Sequence, residues 1–334
     1  MTGLLPKRGR GRQTPAADAA YEQQVKDFCA LMLEIQSTMD FKVGSRGWCY
    51  ILAPHGLGKG DFPAAERLIG DCRKSGLLPL DICAEDGSRI TLGFEGTIDT
   101  NDVEEEVDSW IDHLRNEAHK NYRPFSFWDD QDVYVEVAVE KLDLRNLFES
   151  VCGEFYVPIT NFKGWSDINS RAAMMRRFQR HEKAGRRCVL LVCGDHDPGG
   201  LLITNTLRKN LEDLSRAVGW SPANLVISRF GLNADFIEAN KLTWIDNLET
   251  SSGGRLDDKE HGDHAKAYVQ NYIREFGVRK CEANALVVAP QAGRRLCRNA
   301  ILQYVSAEAV KDHHEKLSEV RWELRDALRE ALSI

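Results

Sequence analysis

The chain has 334 residues, 43% of them hydrophobic and 28% charged, which is the composition of a folded globular protein and not of a disordered or fibrous one. No run approaches the roughly 20 apolar residues of a membrane span, and MTGLLPKRGRGRQTP lacks the apolar core of a secretory signal. The net charge of −7 means that any nucleic-acid surface must be concentrated locally, and it leaves acids available for a cation. Nine cysteines stand singly, with no C-x-x-C pair, so a reduced, intracellular (cytoplasmic) setting is expected and no membrane partner.

At about 150 residues per domain, the length suits two domains. Residues 1–14 form a tail with Lys7, Arg8, Arg10 and Arg12 interleaved with glycine, which composition alone reads as solvated and disordered. Thr14-Pro15 reads as an N-cap followed by proline at the first helical position. Tyr21, Val25, Phe28, Met32 and Ile35 then continue one amphipathic helix to about residue 39. Residues 45–53 and 62–75 read as a helix pair around a Gly/Lys turn, with Gly76 suited to the position just past the second helix. Ile82 to Gly93, broken by Glu85-Asp86-Gly87, reads as a small strand pair. Helix, turn, helix and β wing make a winged-helix domain within residues 15–98, whose second helix is expected in the DNA major groove.

A connecting helix follows within residues 99–122, carrying Val103, Val107, Trp110, Ile111 and Leu114. From 123 to 260 apolar strands alternate with helices. Strands are expected at Val133–Val139, Phe155–Ile159, Cys188–Cys193 and Leu225–Ser228, with helices at 142–150, 168–183 and 201–217 between them. Continuous apolar strands separated by helices indicate an α/β unit with a parallel sheet flanked by helices. Residues 261–334 read as a helical C-terminal region, its last helix capped by Ser306.

Ligands of open α/β sheets bind beyond the carboxyl ends of the strands. Two acidic features fall there: Glu140, ending VYVEVAVE, and the pair Asp195 and Asp197 in LLVCGDHDPGG. In extended chain an Asp-x-Asp directs both carboxylates to one side and His196 to the other. Three hard oxygen ligands converging there suit Mg²⁺, with Mn²⁺ as a substitute, and phosphate oxygens would complete the shell. Such a cation neutralises charge on a transferring phosphate, so the expected reaction is phosphodiester chemistry on a polyanion. Gly199-Gly200 allow a sharp turn beside the site, Ser166 reads as a helix N-cap, and Lys141 is read as contacting phosphate or pairing with a carboxylate.

On these residues the chain resembles the Toprim family, the metal-binding module shared by topoisomerases, bacterial primases and several nucleases. The order of a winged-helix-like segment before a Toprim-like one is similar to the DNA-cleaving subunit of topoisomerase VI and its meiotic break-forming relative. The likeness covers about residues 40–235. It implies Mg²⁺-dependent DNA strand cleavage by a homodimer. It also implies a covalent role for a winged-helix tyrosine preceded four residues earlier by arginine, the spacing at which Arg46 and Tyr50 stand in SRGWCYILA. Gly47 departs from that pattern by interrupting the helical stretch. The chain has no G-x-x-x-x-G-K-[ST] motif, so energy-coupled strand passage would need a separate ATPase partner.

The expected catalytic set is therefore Tyr50, Arg46 and Glu140, and the metal set Glu140, Asp195 and Asp197. Arg73, Lys74, Lys141 and Arg229 are the DNA-contact candidates. Glu282 and Asp257-Asp258 are further acids for a second cation, and Arg294, Arg295 and Arg298 lie at near-helical spacing. A hydrolase using metal-activated water competes with the tyrosyl transesterase. A non-cleaving DNA-binding or recombination protein that keeps the Toprim scaffold is the alternative. A primase-like nucleotidyl transferase is a weaker third reading, because no zinc-binding cysteine cluster is present.

Overall fold

A computed structural model describes residues 4–8, 14–84, 102–162, 168–250 and 253–332. Its helices, in chain order, are α1 (Pro15–Ser37), α2 (Ser45–Leu52), α3 (Phe62–Lys74), α4 (Val103–Asn116), α5 (Leu142–Glu154) and α6 (Ile168–Lys183). They continue with α7 (Ile203–Glu212), α8 (Ser215–Val218), α9 (Ala234–Ala239), α10 (Ala267–Phe276), α11 (Pro290–Leu302) and α12 (Ala307–Ala331). Four strands, β1 (Val133–Val139), β2 (Ile159–Asn161), β3 (Arg187–Cys193) and β4 (Val226–Gly231), form a parallel sheet in the order β2-β1-β3-β4.

The strand order dictates where a ligand can enter. The chain leaves β1 through α5 to reach β2 on one side, whereas β3 leads through α7 to β4 on the other. The carboxyl ends of β1 and β3 therefore flank the point where the winding reverses, the usual crevice of an open α/β sheet. β1 and β3 are in register from Val133↔Arg187 to Val139↔Cys193, and the ladder runs one step further through the Glu140 N–H, which donates to the Cys193 carbonyl at 3.1 Å. α5 and α11 pack together on one face, and α6 and α7 on the other. Six of the seven residues of β1, and six of β3, are buried, as expected of strands covered on both sides.

The expected helix pair is present as α2 and α3, joined by a turn over residues 53–61. The expected wing lies almost wholly outside the described residues; Leu80–Ile82, at its start, is a short 3₁₀ turn. Trp48 is fully buried and its indole N–H donates to the Ile82 carbonyl at 2.9 Å, fixing α2 to that turn. One continuous apolar core runs from Val25 and Met32 of α1 through Trp48 and Ile69 to the sheet and to Val310 of α12. The helical lead-in thus shares its core with the sheet and is not separated from it by solvent.

Gly47, the irregularity in α2, has a structural cause. A Cβ built there would lie 2.5 Å from Asp143 Oδ2 and 2.8 Å from the Val43 Cβ. Asp143 belongs to the first turn of α5, is buried, and accepts a hydrogen bond from the Gly44 N–H at the start of α2. Only a residue without a side chain lets α2 press this closely on α5, two residues beyond Lys141.

Some boundaries differ from the sequence expectation. The second strand is Ile159–Asn161 and not Phe155–Ile159, because α5 runs on to Glu154 and ends in a Schellman motif. The Val157 N–H reaches the Cys152 carbonyl at 2.9 Å and the Tyr156 N–H reaches Gly153 at 3.2 Å. Tyr156 takes the left-handed position (φ 57°) that glycine normally fills, so the usual stop signal is missing from the sequence. The helix expected at 201–217 divides into a 3₁₀ turn (Gly200–Leu202), α7 and α8. Residues 4–8 lie back along α1: Arg8 pairs with Asp18 at 2.8 Å and stands 4.5 Å from the centre of the Tyr21 ring. Arg10 and Arg12 fall outside the described residues. All nine cysteines are buried free thiols, and no helix among the described residues is long and apolar enough to cross a membrane.

Candidate functional site

Glu140 and Asp195 meet at the switch point. The Asp195 N–H donates to Glu140 Oε2 at 2.9 Å, so the two strand ends are joined through the Glu140 carboxylate itself. Gly194 makes this possible, since a Cβ there would stand 2.8 Å from the same oxygen. The Lys141 ammonium then bridges the pair, 3.0 Å from Glu140 Oε1 and 2.9 Å from Asp195 Oδ2. The other Asp195 oxygen accepts from the Ala283 N–H at 2.7 Å. Lys141, one of the DNA-contact candidates, is thus held by carboxylates.

Asp197 opens onto the same cleft but is aimed differently. Its Oδ1 accepts from the Gly200 N–H at 2.6 Å and so begins the 3₁₀ turn ahead of α7. Gly200 is as constrained as Gly194, because a Cβ on it would meet the Asp195 carbonyl oxygen at 2.1 Å. The extended Asp-x-Asp geometry expected from sequence gives way to a turn here. Among the described residues no three His, Cys, Asp or Glu side chains stand together at metal-ligand spacing. The Glu140 and Asp195 carboxylates meet on the Lys141 ammonium, and Asp197 is turned to the Gly200 N–H instead. His196 does point away: it is buried, its Nδ1 lies 2.9 Å from the Tyr272 hydroxyl, and Phe276 and Trp244 meet it edge-on.

The cleft has a volume of about 520 Å³. Glu140, Lys141, Asp195 and Asp197 form one wall, and Lys280 and Glu282 are brought in by a short antiparallel pairing of Cys281 with His196. Asp263, from the segment leading into α10, and Tyr268, in the first turn of α10, also line it. Behind Glu282 lie the two residues singled out in α2. The Tyr50 hydroxyl donates to Glu282 Oε2 at 2.7 Å, and the Arg46 guanidinium stands 3.3 Å from Glu282 Oε1. Tyr50 and Arg46, distant from Glu282 in the chain, therefore share one carboxylate at the rim of the cleft. Tyr50 itself is 1% exposed, and its hydroxyl is shielded from the cleft by Glu282.

The electrostatics follow from burial. Desolvation pushes Asp195 up to about 7, with Lys141 opposing and Glu140 adding to the rise. Asp197 is raised for the same first reason. Burial lowers Lys141, but Asp195 and Glu140 outweigh that and leave its ammonium more firmly protonated than a free lysine. Burial raises Glu282, but the Tyr50 hydroxyl and then Arg46 hold it below the usual carboxylate range. Tyr50 is pushed well above the ordinary value of 10 by burial first and by Glu282 second, so the phenol is held neutral.

The remaining candidates have structural partners. The Arg73 guanidinium donates to the Leu80 carbonyl at 3.0 Å through Nε, and Lys74 forms an exposed pair with Asp71 at 3.2 Å. Arg229 is half-buried behind the site: its Nη2 donates to the Asp195 carbonyl at 3.2 Å, and it also binds Asn233 and the Leu232 carbonyl. It steadies the loop and does not project into the cleft as a clamp. Asp257 pairs with Arg255 at 2.5 Å, and Asp258 caps its own turn, so of the extra acids only Glu282 lines the cleft. Arg294 pairs with Asp40 at 2.7 Å and Arg298 with Glu154. Ser166 lies outside the described residues.

Lys280 and Asp263 were not signalled by the sequence, because they arrive from irregular stretches with no periodicity, and Tyr268, in the first turn of α10, carries no local mark of its place at the cleft. Glu136, in the middle of β1, was also missed. It is fully buried and held bidentately by Arg177 at 2.8 Å through both oxygens, with the Tyr134 hydroxyl at 2.8 Å. Comparison with models of known protein families gives no match, and comparison with curated proteins gives none.

Proposed function

We propose that the chain is a Toprim-type DNA-cleaving protein that uses Mg²⁺ (or Mn²⁺) at Glu140 and Asp195 and binds DNA through a winged helix formed around α2 and α3. The observation that carries this reading is the convergence of Glu140 and Asp195 on one positive charge at the switch point of the sheet. Mg²⁺ commonly takes only one or two protein carboxylates and fills its remaining positions with water and phosphate oxygens. The donor set fits such an ion: two hard carboxylates share a cation position that the Lys141 ammonium now fills, and an open cleft lies beside it. Bound there, the ion would stabilise the charge that develops on a phosphate and activate water.

The chain's own groups divide the remaining work. Asp197 and the Gly200 turn shape the floor on which a phosphate would rest. Lys280 supplies positive charge on the cleft wall where a polyanion would enter. Glu282, held ionised by Tyr50 and Arg46, fixes the opposite rim. Tyr50, buried and neutral, favours water as the nucleophile over the phenol. A tyrosyl transesterase is the second reading, favoured by one contact: the Tyr50 O–H already points at a carboxylate acceptor with Arg46 beside it, the arrangement of a nucleophile with its base.

Incubation of supercoiled plasmid with the protein and Mg²⁺ tests both. Nicked or linear product is expected with the wild type. Glu140→Gln and Asp195→Asn should each lower the rate by more than the roughly 10–100-fold loss typical of outer-shell partners. Tyr50→Phe should keep activity if water attacks. Loss of activity in Tyr50→Phe, with DNA retained on protein after denaturation of the wild-type reaction, selects the transesterase. No product from the wild type at any Mg²⁺ or Mn²⁺ concentration rejects cleavage and leaves the non-cleaving DNA-binding alternative.

A further inference from the structure

On the opposite side of the sheet from the cleft, near the amino end of β2, a second pocket of about 430 Å³ opens between the 3₁₀ turn Ala118–Asn121 and α12. Its residues have one chemical character. His119 and Arg123 come from the turn and the chain just after it, and Tyr156 from the α5 terminus. His314, Arg321 and Trp322 come from one face of α12, at spacings of seven and eight residues. No carboxylate lines the pocket, in a protein with more acids than bases.

The basic groups are not consumed by ion pairs. Arg123 and Arg321 have no carboxylate partner among the described residues; Arg321 uses Nε on the Tyr122 carbonyl at 3.1 Å, which leaves its two terminal nitrogens to act as a fork. The His119 ring stands 6.4 Å from that of Trp322, at the inner wall of the pocket. Lys120, also on the rim, is already paired with Glu117 at 2.6 Å. Two aromatic rings complete the walls. Tyr156 lines the pocket and is stacked on Phe127 at 5.1 Å and 19°. Trp322 is 51% exposed, with Arg325 covering one side of its ring at 3.6 Å.

Paired guanidinium groups select phosphate through forked, charge-assisted bonds, and an exposed indole offers a platform for a flat base. We propose that this pocket binds a nucleoside 5′-monophosphate, with Arg123 and Arg321 on the phosphate and Trp322 against the base. The same chemistry is met in a free nucleotide and at the 5′ end of a nucleic-acid strand. The site is independent of the acidic cleft, and nothing in it requires a divalent ion.

The test is titration of the full chain with AMP in EDTA, by calorimetry and by quenching of tryptophan fluorescence. One site per chain is expected, with quenching that disappears in Trp322→Phe. Arg123→Gln and Arg321→Gln should each weaken binding about tenfold or more, while adenosine, lacking the phosphate, should not bind measurably. Both arginines lie near the surface, so circular dichroism of the two variants should match the wild type. Competition by a 5′-phosphorylated trinucleotide identifies a strand end as the ligand; failure to compete, with AMP still bound, identifies a free nucleotide. Absence of AMP binding at millimolar concentration, undiminished binding in both arginine variants, or inorganic phosphate binding as tightly as AMP would overturn the assignment.

Discussion

Substituting Gly47 by alanine sets two effects of opposite sign against each other. Glycine inside a helix is about 1 kcal/mol less favourable than alanine, so on an unencumbered helix Gly47→Ala would stabilise the protein by about that amount. Here the added methyl would stand 2.5 Å from Asp143 Oδ2, 3.0 Å from its Cγ and 2.8 Å from the Val43 Cβ. Asp143 is 4% exposed and tied to the Gly44 N–H, so it has little room to retreat. Overpacking of this kind costs about 1–3 kcal/mol. The clash should win, with a net loss of up to about 2 kcal/mol. Urea unfolding of Gly47→Ala, Asp143→Ala and the double variant measures it. The alanine at 47 should cost at least about 1 kcal/mol less in the Asp143→Ala background, a coupling expected only of residues in contact. A Gly47→Ala protein more stable than wild type, or additive energies, would refute the close docking of α2 on α5, and with it the reason Tyr50 and Arg46 stand at the rim of the cleft.

Arg177→Met should destabilise the fold by about 3 kcal/mol, the low end for breaking a buried pair, since Glu136 is fully buried while Arg177 still reaches solvent. Adding Glu136→Gln should recover a large part of that loss in the same urea titration, and no recovery would mean that charge burial is not the cause. His181, stacked on Tyr134 at 3.6 Å, is lowered to about 4 by burial first and by Arg186 and Arg180 next. Its folded value lies below the unfolded 6.5, so the unfolded chain takes up the proton first and stability falls as pH drops from about 6.5 to about 4. His181→Phe should flatten that part of the pH–stability curve, and an unchanged slope would show that His181 is not its source.

What the sequence disclosed, and what it hid, follows from how each element is stabilised. β1, β3 and α6 were legible because continuous apolar runs or a clean helical period mark them, and Val133–Val139 and 168–183 match their observed bounds. The second strand was misplaced because Tyr156, and not glycine, ends α5, so FYVPI reads as extended chain. Glu140 and Asp195 were legible from strand-end position alone. The turn at Asp197 was not, since it depends on a hydrogen bond from Gly200. For Lys141, pairing with a carboxylate was one of two readings, but its bridge from Glu140 to Asp195, like the brace of Arg229 on the Asp195 carbonyl, is set by residues from separate strands. The partnership of Tyr50 with Glu282 spans most of the chain and leaves no local trace.

Titration with Mn²⁺, followed by loss of the free-ion electron paramagnetic resonance signal, bears most directly on the pairing of Glu140 with Asp195. The wild type should bind at least one ion per chain, and that ion should be lost in the Glu140→Gln/Asp195→Asn double variant but retained in Tyr50→Phe. A wild-type protein that leaves millimolar Mn²⁺ free, or a double variant that binds as the wild type does, would contradict the proposed metal centre.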